Sequence, residues 1–212
     1  MFAAQITGPG RIEVVDVPEP ELNGRPEHIK VRLERGCLCG SDIPAFAYDP
    51  TDPVVGDNSG PGGDPYPLPV GQSLHECIGT VTASSSAFAE GDRVLVLPPA
   101  FRGLCQYVVA PASKAIALPP CEVSADELVL AQPLGTVVCA ARKLGNIVGK
   151  DVVVLGQGPM GLMIDAVMSN LGARSVIGVD PLAYRLEVAR FLGATATVDC
   201  SAADTLEAVA EA

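Results

Sequence analysis

A short apolar run, Val152-Val153-Val154-Leu155, leads directly into the glycine-rich segment Gly156-Gln157-Gly158-Pro159-Met160-Gly161. Apolar residues then recur at helical spacing as far as Leu171. This order predicts a buried strand, a tight turn and a helix, which is the context in which a glycine pattern indicates a dinucleotide site. Ordinary strand-to-helix turns also use glycine, but here the strand, the turn and the helix occur together.

Each glycine of this segment has a distinct predicted task. Gly156 would permit the tight turn, Gly158 would let a pyrophosphate approach the backbone amides at the helix start, and Gly161 would allow the helix to pack closely on the strand. The residues of the turn predicted to bind the cofactor are Gly156, Gly158, Pro159, Met160 and Gly161.

An acidic residue follows the next predicted strand, Val176-Ile177-Gly178-Val179. Asp180 ends that strand, where a carboxylate accepts hydrogen bonds from the adenosine ribose hydroxyls. A 2′-phosphate would be repelled there, so we expect NAD to be preferred over NADP. The cationic Arg185 could soften that preference.

The chain divides into segments that differ in their predicted pattern of strands and helices. Short alternating strands fill residues 1–123 and predict a barrel-like, all-β domain. Connecting helices follow over 124–150, with a capping box at Ser124 and a break at Pro133. Residues 151–212 alternate strand and helix and predict the first half of a doubly wound parallel sheet, so the fold class is α/β. A long segment rich in Pro, Gly and Asp, Asp49 to Ser73, is expected to form one wall of a substrate cleft.

The predicted β domain contains a second chemical signal, Cys39-Gly40-Ser41-Asp42 together with His75-Glu76. A thiolate, an imidazole and carboxylates suit zinc, and a catalytic zinc needs three protein ligands and one open position. We predict Cys39 and His75 as two ligands, and either Glu76 or Gln132 as the third. The Ser41 hydroxyl would reach an oxygen bound to the metal, and Asp42 would orient the His75 imidazole.

Composition excludes several classes of protein. The formal net charge of −11 argues against a nucleic-acid partner. No apolar run approaches the length of a membrane span, and the N-terminus has no signal-peptide pattern. The seven cysteines are scattered rather than arranged as a disulfide framework, so we expect a reducing cytoplasm.

Together these segments resemble the zinc-dependent medium-chain dehydrogenase/reductase family, the superfamily of alcohol and polyol dehydrogenases, over its N-terminal two thirds. Further matching pieces are the Gly-Pro-Gly and Val-Pro-Glu-Pro segments near the N-terminus, His75-Glu76-Cys77-Ile78-Gly79, Gly91-Asp92-Arg93-Val94, Gln132-Pro133-Leu134 and Asp180 through Ala194. The resemblance implies a GroES-like β-barrel catalytic domain followed by a Rossmann domain, with zinc and NAD(P) meeting between them. It also implies that Cys39 and His75 ligate zinc, that Glu76 is a direct or exchangeable ligand, and that Ser41 begins a proton relay.

The chain departs from the family pattern at several points. Leu74 replaces the usual glycine before His75, and Gln132 stands where polyol-type members carry Glu. Ile43-Pro44 replaces a relay histidine, so the relay must leave through water or ribose. Only Cys105 lies between Cys77 and Cys121, so we expect one catalytic zinc and no structural zinc. The Rossmann half supplies three of the six strands expected, so we expect a fragment or truncated product.

The sequence thus predicts an NAD-preferring zinc dehydrogenase that oxidises a small alcohol or polyol to a carbonyl, a homo-oligomer in its full-length form. Two alternatives remain open at this point. One is a zinc-free quinone or enone reductase of the same superfamily. The other is a catalytically inactive module that binds a nucleotide or a partner chain.

Overall fold

A computed structural model describes residues 1–47, 66–201 and 204–211. The chain forms two compact units, Met1–Gln132 and Pro133–Ala212. The first contains the predicted metal ligands and the second contains the glycine-rich turn.

Unit 1 is built on antiparallel strands. A two-stranded hairpin, β1 (Phe2–Gly8) and β2 (Arg11–Asp16), precedes the sheet. The sheet of the described residues has the order β6-β3-β4-β5-β7. Its strands are β3 (His28–Cys37), β4 (Glu76–Ser84), β5 (Arg93–Val96), β6 (Tyr107–Pro111) and β7 (Ala115–Ala117). The predicted all-β character of this region, consistent with a GroES-like fold, is confirmed.

The alternating pattern of β3 determines which face of the sheet is buried. Ile29 and Val31 are fully buried, and they pack with Val94 and Val96 of the neighbouring strands in one apolar core. Since side chains alternate across a strand, the residues between them face the other side of the sheet. His28 opens β3, and its Nδ1 lies 2.7 Å from the Pro26 carbonyl oxygen, so this second histidine has a local structural partner.

Two irregularities interrupt the pairing of β3 with β4. The register shifts between Lys30 and Val31 and shifts again between Leu33 and Arg35. The two shifts leave the extra residue on opposite strands, Thr82 on β4 and Glu34 on β3. At the end of the ladder Cys37 pairs with Glu76, so the segment after β3 and the segment before β4 lie side by side.

Helical segments follow β3 and β7 in chain order. They are α1 (Ile43–Ala47), which follows the 3₁₀ turn Gly40–Asp42, and then α2 (Ala125–Leu128) and α3 (Ala131–Leu144). The predicted capping box is present, with the Ser124 hydroxyl accepting a hydrogen bond from the Glu127 amide. The predicted break at Pro133 is wrong: the chain breaks before Ala131, and Pro133 lies in the first turn of α3, where its missing N–H costs no intrahelical bond.

Unit 2 is a parallel sheet with helical crossovers. In the described residues the order is β10-β9-β8, formed by β8 (Asp151–Leu155), β9 (Ser175–Val179) and β10 (Ala196–Val198). The helices are α4 (Pro159–Asn170), α5 (Ala183–Phe191) and α6 (Thr205–Glu211). Val154, Val176 and Met168 join sheet and helices in one core. The predicted α/β fold with a partial Rossmann sheet is confirmed. Within the described part of the chain, no helix combines the length and the apolar character needed to cross a membrane.

Candidate metal centre and nucleotide site

The ends of β3 and β4 bring together three side chains of types that can bind a metal ion. The ligand atoms of Cys39, His75 and Glu76 all lie within 4.8 Å of one another. Glu76 is 4% exposed, while Cys39 and His75 are half-buried. A buried carboxylate beside a thiol and an imidazole is costly unless a cation or hydrogen bonds compensate for its charge. The donor types and their spacing fit a zinc ion with an open position.

Asp42 links the two segments that carry these ligands. Its Oδ2 accepts a hydrogen bond from the Cys39 amide at 2.8 Å. Its Oδ1 accepts from the Ser73 hydroxyl at 2.7 Å and from the Leu74 amide at 3.1 Å. The carboxylate is 7% exposed and therefore acts as a buried connection between two loops.

The His75 imidazole has a looser relation to Asp42 than the sequence analysis expects. Its Nδ1 lies 3.6 Å from the Asp42 Oδ1, which is longer than a hydrogen bond. The nearest aromatic partner described is Phe101, whose ring centroid is 5.0 Å from that of His75 at an interplanar angle of 64°. Sequence spacing gives no signal for Phe101, because it lies on a different turn of the chain.

Backbone geometry around His75 is unusual. Ser73 and Leu74 both adopt positive φ, 76° and 81°, and so do Ala100 and Phe101 at 52° and 55°. Side chains other than glycine rarely occupy this region. The Leu74 side chain lies over Gly36, where an added Cβ would be 2.3 Å from Leu74 Cδ2. A leucine at position 74 is therefore accommodated by a glycine on the adjacent strand.

The remaining predicted residues of this centre occupy different settings. Ser41 is exposed on the 3₁₀ turn next to Cys39, and Gln132 is half-buried in the first turn of α3. Glu76 satisfies the spacing required of a third ligand, and Gln132 stays a prediction. Residues 49–65 of the predicted cleft wall lie outside the described residues.

Three cysteines other than Cys39 pack in the apolar cores of unit 1, namely Cys37, Cys77 and Cys105. Burial raises the pKa of Cys77 to about 12 and the pKa of Cys105 to about 11. Burial also raises the pKa of Cys37, and the nearby Glu76 carboxylate adds to this effect. These three thiols stay protonated at neutral pH and behave as small apolar residues, whereas Cys121 and Cys139 are exposed.

An apolar cavity of about 320 Å³ adjoins the centre. Its wall is formed by Ile6, Ile12, Leu38, Cys39, Asp42, Ile43, Phe46, Ser73 and Leu104. Because Cys39 belongs to this wall, the cavity borders one of the three candidate metal ligands directly. Its chemistry suits a hydrocarbon group rather than a charged one.

The glycine-rich turn of unit 2 has the geometry that the sequence predicts. Gly156 adopts a positive φ of 88°, and a Cβ on Gly161 would lie 1.9 Å from the Gly156 carbonyl oxygen. Gly158 caps α4 with extended backbone and has no atom within 4 Å of an added Cβ. The turn therefore has open space in front of the first amides of a long helix, where a phosphate binds well.

Asp180 supports this turn from the end of β9. Its carboxylate accepts hydrogen bonds from the Gln157 amide at 2.7 Å and the Leu182 amide at 2.9 Å, and Arg185 lies 3.4 Å away. Burial raises the pKa of Asp180, but these amides and the guanidinium outweigh burial, and the net pKa is lowered. A negative charge is thus held beside the turn at neutral pH. Arg185 neutralises part of it.

Comparison with known proteins gives relatives of this chain in both sequence and structure. No family model matches it. L-threonine 3-dehydrogenase of Photorhabdus laumondii is 31% identical over 229 residues, covering 94% of this chain and 63% of the relative. The chain therefore spans less than two thirds of that relative's length.

Solved structures share the fold. Galactitol-1-phosphate dehydrogenase from Escherichia coli superimposes with a TM-score of 0.81 at 22% identity, covering 98% of this chain and 63% of that protein. A proposed zinc-binding dehydrogenase from Sinorhizobium meliloti bound to NADP gives 0.76 at 25% identity, covering 98% and 64%. The predicted resemblance is confirmed by these relatives, which support zinc and a nicotinamide cofactor.

Proposed function

We propose that this chain is, over the length it spans, a member of the zinc-dependent medium-chain dehydrogenase/reductase superfamily, and that it belongs to an enzyme that oxidises an alcohol to a carbonyl with NAD. The observation that carries the proposal is the convergence of Cys39, His75 and Glu76 within 4.8 Å. A zinc-free reductase of the same superfamily has no need of such a cluster.

The three clustered side chains would hold one zinc ion. Zinc bound there supplies Lewis-acid chemistry, which polarises a substrate hydroxyl and lowers its pKa. Asp42 keeps the Cys39 and His75 segments together through hydrogen bonds to three donors. We propose Glu76 as the third ligand, because its carboxylate already lies in the cluster, and Gln132 as the alternative.

Ser41 is the residue proposed to move the proton. Its hydroxyl is exposed on the turn that carries Cys39, so it can take a proton from a substrate hydroxyl at Oγ and pass it to water. The reaction balances when the alcohol oxygen loses this proton and the alcohol carbon loses a hydride to the nicotinamide ring, which leaves a carbonyl.

The turn from Gly156 to Gly161 is proposed to bind the pyrophosphate of the cofactor at the start of α4. The charge on Asp180 supports NAD as the cofactor, because a 2′-phosphate would meet an ionised carboxylate. The Sinorhizobium meliloti protein, which has a similar fold, binds NADP instead.

The substrate class is proposed from the cavity and from the relatives. L-Threonine 3-dehydrogenase is named for an alcohol-bearing amino acid. The apolar wall beside Cys39 supports a small alcohol with a hydrocarbon substituent over one with a charged group at that position.

The test is the zinc content of the purified chain. We expect about one equivalent of zinc by elemental analysis, and Cys39→Ser should lose it because the thiolate is the anionic anchor. Cys121→Ser is the matched control, since this exposed cysteine lies outside the cluster and should leave zinc unchanged. Stoichiometric zinc in Cys39→Ser would contradict the metal assignment, and a zinc-free wild type would favour the reductase alternative.

A further inference from the structure

We propose that Phe101 is a positioning residue of the metal centre, whose ring holds the His75 imidazole in the orientation in which it joins Cys39 and Glu76. The inference rests on the proposed zinc site. It starts from the edge contact between the two rings, with centroids 5.0 Å apart at 64°.

The backbone before His75 does not by itself fix the imidazole. Two residues of positive φ, Ser73 and Leu74, precede it, and β4 begins only at Glu76. Asp42 Oδ1 is already occupied by the Ser73 hydroxyl and the Leu74 amide, and it is 3.6 Å from His75 Nδ1. The carboxylate therefore fixes the loop more firmly than it fixes the ring.

Phe101 supplies the missing restraint. An edge-to-face contact depends on ring orientation, because the positive edge of one ring meets the negative face of the other. A phenyl ring in this arrangement resists rotation of the imidazole about its χ2 torsion. With Nδ1 on the side of Asp42, the same restraint leaves Nε2 directed away from that carboxylate.

The turn that carries Phe101 is built at a conformational cost. Ala100 and Phe101 both lie in the left-handed region, with φ of 52° and 55°. Hydrogen bonds from the Phe101 amide to Pro98 and from the Arg102 amide to Pro99 close the turn. Such conformations persist where the surroundings impose them and are concentrated at functional sites. Here the strained turn places the Phe101 ring against His75, a proposed metal ligand.

The experiment compares zinc affinity, by competition with a chelator, in the wild type and three variants. Phe101→Leu keeps apolar volume but removes the ring, Phe101→Tyr keeps the ring, and Phe88→Leu is the matched control. Phe88 is also half-buried in unit 1, but it packs on the core of the sheet. We expect Phe101→Leu to weaken zinc binding about 2- to 12-fold, which is the roughly 0.5–1.5 kcal/mol of such a ring pair converted at 1.4 kcal/mol per decade. The other two variants should bind as the wild type does.

Cobalt substitution gives a readout that general destabilisation would not move. The d–d bands of a cobalt ion report ligand geometry, so Phe101→Leu should alter them, whereas Phe101→Tyr and Phe88→Leu should not. The chain has two histidines, so His75 can be assigned in NMR spectra by difference with His28→Gln. In the zinc-loaded wild type we expect nuclear Overhauser effects between the Phe101 and His75 ring protons, a result that does not require any Phe101 variant to fold.

The outcomes separate the two proposals. Native zinc affinity and an unchanged cobalt spectrum in Phe101→Leu would overturn the role of Phe101 while leaving the zinc site intact. Absence of the ring-to-ring effects would do the same. A wild type that binds no zinc would overturn both proposals together.

Discussion

Asp165 makes the stability of unit 2 depend on pH in an unusual direction. It lies on α4, is fully buried, and neither carboxylate oxygen has a hydrogen-bond partner among the described residues. Burial raises its pKa from 3.8 to about 6. The folded protein therefore holds this proton over a range where the unfolded chain releases it.

The sign and size follow from linkage. Between the unfolded pKa of 3.8 and the folded pKa of about 6, the folded state binds more protons, so the free energy of unfolding falls as pH rises. The full effect is about 3 kcal/mol, from 1.36 kcal/mol for each unit of pKa difference. About 1.4 kcal/mol of it falls between roughly pH 5 and pH 7.5, a range that avoids precipitation near the isoelectric point of about 4.5.

Urea unfolding followed by circular dichroism measures this effect, since the chain contains no tryptophan to report by fluorescence. Asp165→Asn removes the titration, so the stability of this variant relative to the wild type should rise by about 1.4 kcal/mol from pH 5 to pH 7.5. Asp151→Asn is the matched control in the same unit. The Asp151 carboxylate is bound by Arg174 and Ser175, which lower its pKa to about 2. The effect of Asp151→Asn on the free energy of unfolding should therefore be constant over that pH range.

If the difference in free energy of unfolding between Asp165→Asn and the wild type did not change with pH, the reasoning would be refuted. A wild type that gains stability relative to the variant as pH rises would refute it as well. Either result would mean that the Asp165 carboxylate has a partner when ionised.

Two further predictions concern the nucleotide site. Gly161→Ala places a Cβ 1.9 Å from the Gly156 carbonyl oxygen, so it should lower the free energy of unfolding by about 1–3 kcal/mol in urea titrations, whereas Gly135→Ala, with open space around it in α3, should not destabilise. An undiminished stability in Gly161→Ala would show that the turn is not closely packed. Asp180→Ser should raise the ratio of NADP to NAD affinity, measured by calorimetry, at least about tenfold, and Asp199→Ser at the end of the neighbouring strand should leave it unchanged. The same ratio in wild type and Asp180→Ser would mean that Asp180 does not select the cofactor.

The parts of the fold that follow from local pattern could be predicted. Val152 to Gly161 encodes a strand, turn and helix within ten positions, because apolar periodicity and glycine conformation are properties of neighbouring residues. The residue types at positions 39 and 75, a cysteine and a histidine that suit zinc, could also be read directly from the sequence. The approach of the two side chains depends on the pairing of Cys37 with Glu76, which lie far apart in the sequence, so no local pattern encodes it.

Other features depend on contacts that no local pattern encodes. Phe101 reaches His75 through a turn of positive-φ residues, and Ala and Phe give no sign of that conformation. Pro133 reads as a helix breaker, but its effect depends on which helical turn it occupies. Asp165 falls on the buried face of α4 at helical spacing from Gly161 and Met168, and its carboxyl group would have been assigned to solvent on polarity alone.

The two bulges between β3 and β4 have a consequence for how this protein can change over evolutionary time. One extra residue lies on each strand, so the register shift at Thr82 is cancelled by the register shift at Glu34. Cys37 and Glu76 are therefore paired in the same register as Ile29 and Ser84 at the other end of the ladder. Loss of a single residue from one strand would slide Cys39 past His75 by about 3.3 Å, one strand position, and turn alternate side chains to the wrong face. Length changes in these two strands should therefore be accepted in compensating pairs, one on each strand, because only then do Cys39 and His75 keep their alignment.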